Sequence, residues 1–197
     1  MFGRKSTSEP GSSPLRDSLD FTNADDMAWV KQRGDPLIWH VVALSMVIFG
    51  VENEDFMAWL VEQERMDRVT ALAILMAQSN LMAQSNGKNR LTGGVLPPED
   101  MPEPYRSRQR GINRIIDRLC ELDKQRTWPE HGIGLEPGWE EERPKLLAEL
   151  GHDPRFPRNM FARPIPPQTA KMPYHDIGEA ELVSEGYMRK HMPYLLD

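Results

Sequence analysis

The distribution of proline divides this chain into two unlike halves. None of its seventeen prolines falls between Pro36 and Pro97, and most of the others lie after Pro97. Proline interrupts a helix except in its first turn, so a long proline-free interval favours packed helices. A proline-dense interval favours loops and extended chain. We therefore expect a compact first half and a loop-rich second half.

The most apolar stretch, from Pro36 to Val51, predicts a central helix that ends near Phe49. Asp35 can cap this helix, and Pro36 suits its first position because no N–H is needed there. The side chains are apolar nearly all round, which is typical of a helix covered on several sides. The stretch is shorter than the roughly 20 residues that cross a bilayer, so we expect no membrane association.

Capping residues predict three further helices around the central one. Asn23 or Asp25 can begin a helix that ends at Gly34, Asn53 can cap the next, and Asp67 can cap a fourth. In each of them apolar residues recur at intervals of three and four, so each is expected to bury one face.

A hexapeptide, Leu-Met-Ala-Gln-Ser-Asn, occurs twice in tandem at 75–80 and 81–86. Six extra residues turn a continuing helix by about 600°, which would displace every packing residue after them. We interpret the repeat as a duplication without function that is tolerated at a helix end.

The second half predicts one long amphipathic helix at 104–126, extended proline-rich chain at 152–176 and a final helix at 179–191. The expected fold is all-α: a small helical bundle with a long amphipathic helix and a Pro-rich C-terminal extension. The predicted organisation is a disordered tail at 1–20, a core helical domain at 21–86, a loop at 87–103, and a remainder at 104–197 that packs on the core.

Charge is unevenly placed along a chain whose net charge is −6. Residues 104–126 carry seven basic and three acidic side chains, and Arg106, Arg110 and Arg114 share one helix face. This face could dock an acidic protein surface or pair with the chain's own carboxylates. Nucleic acid is the less favoured partner because the whole chain is acidic.

Two tryptophans in the loop-rich half, Trp128 and Trp139, are candidate anchors for a partner. They lie beside glycines and prolines, where an aromatic side chain could equally cover the helical bundle. The sequence leaves both roles open.

Two His-Asp pairs, His152-Asp153 and His175-Asp176, are candidate metal ligands of a hydrolase. Turn chemistry explains each pair equally well, since both lie near prolines. His40, inside the apolar helix, could be a neutral core histidine or a catalytic base. The sequence contains no His-Glu-x-x-His, Gly-x-Ser-x-Gly, P-loop or dinucleotide-binding pattern.

The only cysteine, Cys120, can form neither an intramolecular disulfide nor a cysteine-based zinc site. The segment 1–14 has two basic residues but no apolar stretch after them, unlike a secretory signal. Both observations favour a cytoplasmic protein, and we expect no cofactor. Oligomeric state is left open.

The segment 37–77 resembles a small bacterial family called "domain of unknown function 4274". The residues that carry the resemblance are Trp39-His40, Trp59, Met66-Asp67 and Thr70-Ala71-Leu72. The chain departs from the family's pattern after the histidine, where it has Ser-Met-Val-Ile-Phe. The resemblance implies a helical bacterial domain and assigns no activity or functional residue.

These observations favour a non-enzymatic interaction protein of a bacterial cytoplasm, either an adaptor or an immunity-type protein. The expected partner is another protein, with an acidic surface if it meets Arg106, Arg110 and Arg114. The alternatives are a metal-dependent hydrolase that uses the two His-Asp pairs, and a nucleic-acid binder that uses the arginine face.

Overall fold

A computed structural model of the chain describes residues 14–49, 53–81, 91, 102–103, 105–178 and 181–195. Eight helices and three strands occur within these residues, followed by a 3₁₀ turn at Pro193–Leu195. In chain order they are β1 (Ser18–Asp20), α1 (Ala24–Arg33), α2 (Pro36–Phe49), α3 (Glu54–Val61), α4 (Arg68–Leu81), α5 (Tyr105–Gln125), α6 (Pro137–Leu150), α7 (Arg158–Ala162), β2 (Tyr174–Gly178), β3 (Glu181–Ser184) and α8 (Glu185–His191).

The predicted caps begin the first four helices. The Asn23 side chain accepts hydrogen bonds from two backbone N–H groups of α1, and Asn53 accepts one from Phe56 N. Asp35 accepts from Leu37 N at 2.9 Å, and Asp67 accepts from Val69 N at 2.6 Å. These local bonds satisfy backbone donors that a helix leaves unpaired at its start, so short sequence signals set the boundaries.

A small antiparallel sheet corrects the all-α prediction. Its strand order is β1-β3-β2, with Leu19 opposite Leu182 and His175 opposite Val183. The strands hold three to five residues each, too few to show an alternating pattern in the sequence. Mostly helical, rather than all-α, is the fold class that the structure supports.

The structure also corrects four other predictions about the organisation of the chain. Residues 18–20, predicted as part of a disordered tail, form β1. The proline-rich segment at 152–176 contains α7 and the start of β2, and the final helix begins at Glu185 after an N-cap at Ser184. Leu91, in the predicted loop, is helical and buried. Residues 1–13, most of that loop, and the second copy of the hexapeptide except for Leu81 lie outside the described residues.

One apolar cluster joins both halves of the chain. It runs from Leu19 through the first four helices to residues of the second half, such as Leu119, Phe161 and Leu182. None of the helices in the described ranges combines the length and apolar composition that a membrane-crossing helix needs.

A buried guanidinium attaches the proline-rich segment to this cluster. The side chain of Arg68, at the start of α4, is 0% exposed. Its Nε donates to Glu130 Oε1 at 2.9 Å, and its terminal nitrogens donate to three carbonyl oxygens at 2.6 to 3.0 Å. These oxygens belong to Met160, Arg163 and Pro164. Irregular backbone lacks the hydrogen bonds of a helix or sheet, and Arg68 supplies donors to it.

Two buried carboxylates add to this attachment. Asp123, on α5, accepts hydrogen bonds from the backbone N–H groups of Asn159 and Met160, both at 2.9 Å. Asp67 accepts from His131 N as well as from α4. Burial raises the pKa of both carboxyl groups, and the N–H donors partly offset that increase. The loop-rich half is therefore held by charged side chains that reach its backbone.

Replacing Arg68 is expected to destabilise the fold strongly. Arg68→Met keeps similar bulk but leaves three carbonyl oxygens without their donors, so we expect a loss of about 3 kcal/mol in the free energy of unfolding. The matched control is Arg158→Met, an exposed arginine at the start of α7, for which a change within about 0.5 kcal/mol is expected. Denaturant titration measures both, and equal midpoints for the two variants would contradict the assigned role.

Candidate functional site

One face of α2 forms the floor of a half-open cleft of about 570 Å³. The floor residues follow the helical spacing of a single stripe, and Ala73 of α4 lies beside them. They are His40, Val41, Leu44, Ser45 and Ile48. Ile48 is 51% exposed and Leu44 is half-buried, whereas the other three floor residues are at most 9% exposed, so the stripe opens to the solvent at its C-terminal end. We call this space the α2–β2 cleft.

Two segments of the second half form the walls of the cleft. One wall is the irregular segment 134–136 together with Trp139 of α6. The other is made by Gln168, residues 171–172, residues 174–176 of β2, and Glu185. The walls meet where Gly132 O accepts hydrogen bonds from Thr169 N and Ala170 N, both at 2.9 Å.

The glycines of the first wall allow the two segments to approach each other. Gly132 has a φ of +76°, in the left-handed region that side chains other than glycine disfavour. A Cβ placed on Gly134 would lie 2.8 Å from the backbone nitrogen of Gln168. Larger residues at these two positions would separate the walls.

His40 is a neutral, hydrogen-bonded part of the floor. It is 7% exposed, and its Nδ1 lies 3.0 Å from Oγ1 of Thr70. Burial lowers the pKa of His40 to about 4, so the ring carries no charge near neutral pH. Thr70 does not line the cleft. The pair therefore joins α2 to α4, which is the core role that the sequence left open for this histidine.

The charged groups of the cleft are mainly carboxylates. Glu136, Asp176 and Glu185 line it together with one cation, Lys171. Lys171 Nζ lies 2.5 Å from Glu185 Oε2, and Arg189 also bonds to Glu185. The hydrogen bonds from Lys171 and Arg189 lower the pKa of Glu185 to about 2. Glu185 is thus paired with two cations, whereas Glu136 and Asp176 give the rim of the cleft two further negative charges.

The two tryptophans predicted as partner anchors, Trp128 and Trp139, lie in different environments. Trp139 lines the cleft. Trp128 is 3% exposed, donates from its indole nitrogen to Asp123 Oδ1 at 3.2 Å, and has the Arg126 guanidinium 3.9 Å from its ring centre. Trp128 therefore covers the bundle, the second of the two roles that its sequence context allowed.

Of the predicted arginine face, Arg114 lies against acidic α3, and the neighbouring Arg118 contacts the end of that helix. Arg114 pairs with Glu54 at 2.7 Å, and Arg118 binds both carboxylate oxygens of Glu62 at 2.6 and 2.8 Å. The hydrogen bonds from Arg118 lower the pKa of Glu62. Arg110 is exposed and Arg106 half-buried. Internal pairing thus offsets part of the positive charge, and an acidic partner for this face stays a prediction.

Only one of the two predicted His-Asp pairs reaches the cleft. His175 and Asp176 line it, and Nε2 of His175 is buried without a hydrogen-bond partner among the described residues. His152 and Asp153 follow α6, where Asp153 Oδ1 accepts from Arg155 N at 2.7 Å as turn chemistry predicts. Across the part of the chain that the structure describes, no three His, Cys, Asp or Glu side chains are grouped to hold a metal.

Several cleft residues had no distinctive sequence signal. Glu136, Met172 and Tyr174 come from loops or short strands and are brought to α2 only by the tertiary fold. The α2 stripe could not be singled out because its other faces are apolar as well.

No family model, curated protein or solved structure matches the chain. The resemblance of residues 37–77 to the bacterial family therefore stays a prediction.

Because His40 takes up a proton as the pH falls, we expect the free energy of unfolding to depend on pH. Its pKa is lowered by folding, so the unfolded chain binds the proton more tightly and stability is lost as pH falls from about 6.5 toward 4. When the pH is lowered from about 7.5 to about 5, the free energy of unfolding should fall by about 2 kcal/mol more in the unmodified protein than in His40→Gln. Denaturant titrations of both proteins measure this difference. Parallel pH profiles would show that His40 keeps an ordinary pKa in the fold.

Proposed function

We propose that the protein is a non-enzymatic interaction module of a bacterial cytoplasm, of adaptor or immunity type, and that it holds a segment of its partner in the α2–β2 cleft. The observation that carries the proposal is the α2 stripe that forms a cleft floor between two walls and opens to the solvent at Leu44 and Ile48. A concave apolar floor with a polar rim is the arrangement in which an anchoring side chain of a partner is desolvated.

Aromatic and flexible side chains around the floor support this role. Trp139 and Met172 are half-buried in the walls, and Tyr174 is buried, with its hydroxyl donating to Arg16 O at 3.0 Å. Trp and Tyr are enriched at binding hot spots, and Met adapts its shape to different neighbours. Ile48 completes an apolar surface that a partner could cover.

Two titratable side chains that line the cleft, His40 and Lys171, are engaged in structural contacts. His40 is neutral and lies against Thr70, while Lys171 pairs with Glu185. Burial raises the pKa of Cys120, on α5, to about 12, so its thiol stays protonated. These contacts favour binding over general acid–base or nucleophilic chemistry.

Site-specific photo-crosslinking in the host cell tests the proposal. A photoreactive residue at Ile48 is expected to capture a specific protein, because that position is exposed at the cleft. The identified protein, once purified, should bind the unmodified chain and bind Ile48→Asp at least about ten-fold more weakly, since a carboxylate would enter the desolvated contact. Ile48 is half exposed, so the substitution should leave the fold intact.

Photoreactive residues at Arg110 and Lys124, both exposed on α5, provide the comparison. Capture at Arg110 but not at Ile48 would move the binding surface to the arginine face and overturn the cleft assignment. A chain that captures no partner at any position would contradict an interaction function. Capture at Ile48 followed by undiminished binding of Ile48→Asp would show that the contact is incidental.

A further inference from the structure

The strand that borders the α2–β2 cleft is an edge strand. In the sheet of the described residues β3 lies between β1 and β2, so β2 has a sheet neighbour on one side only. Alternate backbone N–H and C=O groups of such a strand point away from the sheet. An extended segment from another chain can pair with these groups.

The cleft contacts three consecutive residues of β2. Tyr174, His175 and Asp176 all line it although they are consecutive. Successive side chains of a strand point to opposite faces, so a surface that covers one face would touch alternate residues. No residue of β1 or β3 lines the cleft. Contact with three consecutive residues of β2 alone is what an approach from the edge produces.

The geometry limits how far such pairing can extend. Pairing between β2 and β3 shifts register between Asp176 and Gly178, where Asp176 Oδ1 accepts from Gly178 N at 2.8 Å. An added strand would therefore meet regular backbone only at 174–176. A second recess of about 370 Å³ lies beside residues 165–167 and shares Gln168 and the 134–136 segment with the cleft.

The charges of the rim indicate the composition of the occupant. Glu136 lies on one wall and Asp176 on the other, and both side chains are exposed. The Glu136 side chain makes no capping hydrogen bond to α6. The cation of the cleft, Lys171, is paired with Glu185. A strand that brings Lys or Arg side chains to the rim would be complementary to both carboxylates.

We propose that the α2–β2 cleft binds an extended, cationic segment of a partner protein, which adds as a fourth strand to the free edge of β2 and places apolar side chains on the α2 stripe. This inference rests on the proposed interaction function and specifies its ligand. The backbone of β2 supplies affinity, the α2 stripe accepts alternate apolar side chains, and Glu136 and Asp176 select for positive charge.

Short synthetic peptides with blocked ends test each part separately. The first alternates Lys and Val, the second alternates Glu and Val, and the third is the Lys-Val peptide with every backbone amide nitrogen methylated. The third keeps charge and side chains but loses strand hydrogen bonds. Titration followed by NMR is expected to shift the backbone amides of 174–176, to protect them from hydrogen exchange, and to give affinities at least about ten-fold lower for the second and third peptides.

Protein variants test the charge selection. Asp176→Asn keeps an oxygen that can accept from Gly178 N but removes the charge. It should weaken binding of the Lys-Val peptide about three-fold or more and bring the affinity of the Glu-Val peptide closer to that of the Lys-Val peptide. The matched control is Glu141→Gln, an exposed carboxylate of α6 outside the cleft, for which no change is expected.

The outcomes separate this inference from the proposed function. Equal binding of the methylated peptide would overturn strand addition, and preference for Glu-Val would overturn the cationic ligand. If the protein forms a dimer in sedimentation and the peptides cannot displace the second copy from β2, the edge binds another copy of this chain and not a partner segment. No peptide binding at the cleft would refute the inference, yet the interaction function would stand if Ile48 still captures a specific partner.

Discussion

The position of the loop-rich half depends on one charged side chain that is held away from water. A buried guanidinium is costly unless its N–H groups are hydrogen-bonded, and Arg68 meets this need with carbonyl oxygens from the short helix α7 and the irregular chain that follows it. The carbonyl oxygens depend on Arg68 in the same way, because without its guanidinium they would lose their hydrogen-bond donors. The chain leaves this attachment at Pro164 and within a few residues forms the second wall of the cleft, so the location of that wall depends on Arg68.

The cleft follows from how α2 is used. A helix that is apolar nearly all round needs cover on every side, and α4, β2 and the walls provide it for most of the surface. The remaining stripe is kept uncharged by a histidine whose ring stays neutral. The same helix thus serves as core and as floor, with the acidic rim supplied by elements from the other half of the chain.

The helical half could be predicted because its helices begin with local capping interactions. The rest could not, because it is held by contacts between residues far apart in the sequence. The caps at Asn23, Asp35, Asn53 and Asp67 act within three residues of their partners, so single-sequence reasoning located them. The sheet joins Leu19 to Leu182, and no pattern within so short a strand points to a partner that far along the chain. Likewise, the arginine face is visible in the sequence, whereas the carboxylates of Glu54 and Glu62 that oppose it are placed by tertiary structure. Within the cleft, Trp139, His175 and Asp176 were recognised as candidates, but nothing in the sequence indicated that α2 would be their neighbour.

Because β1 pairs with a strand that is synthesised much later, the sheet must fold after the helices. β1 and the four helices that follow it leave the ribosome before β3 exists, and β2 has no sheet neighbour until β3 is synthesised. The helical core can form early from nearby contacts, whereas the second wall of the cleft must wait for a strand encoded much later. A nascent chain would therefore be folded at its centre before the β2 edge is complete, because that edge forms only after residues 181–184 have been synthesised.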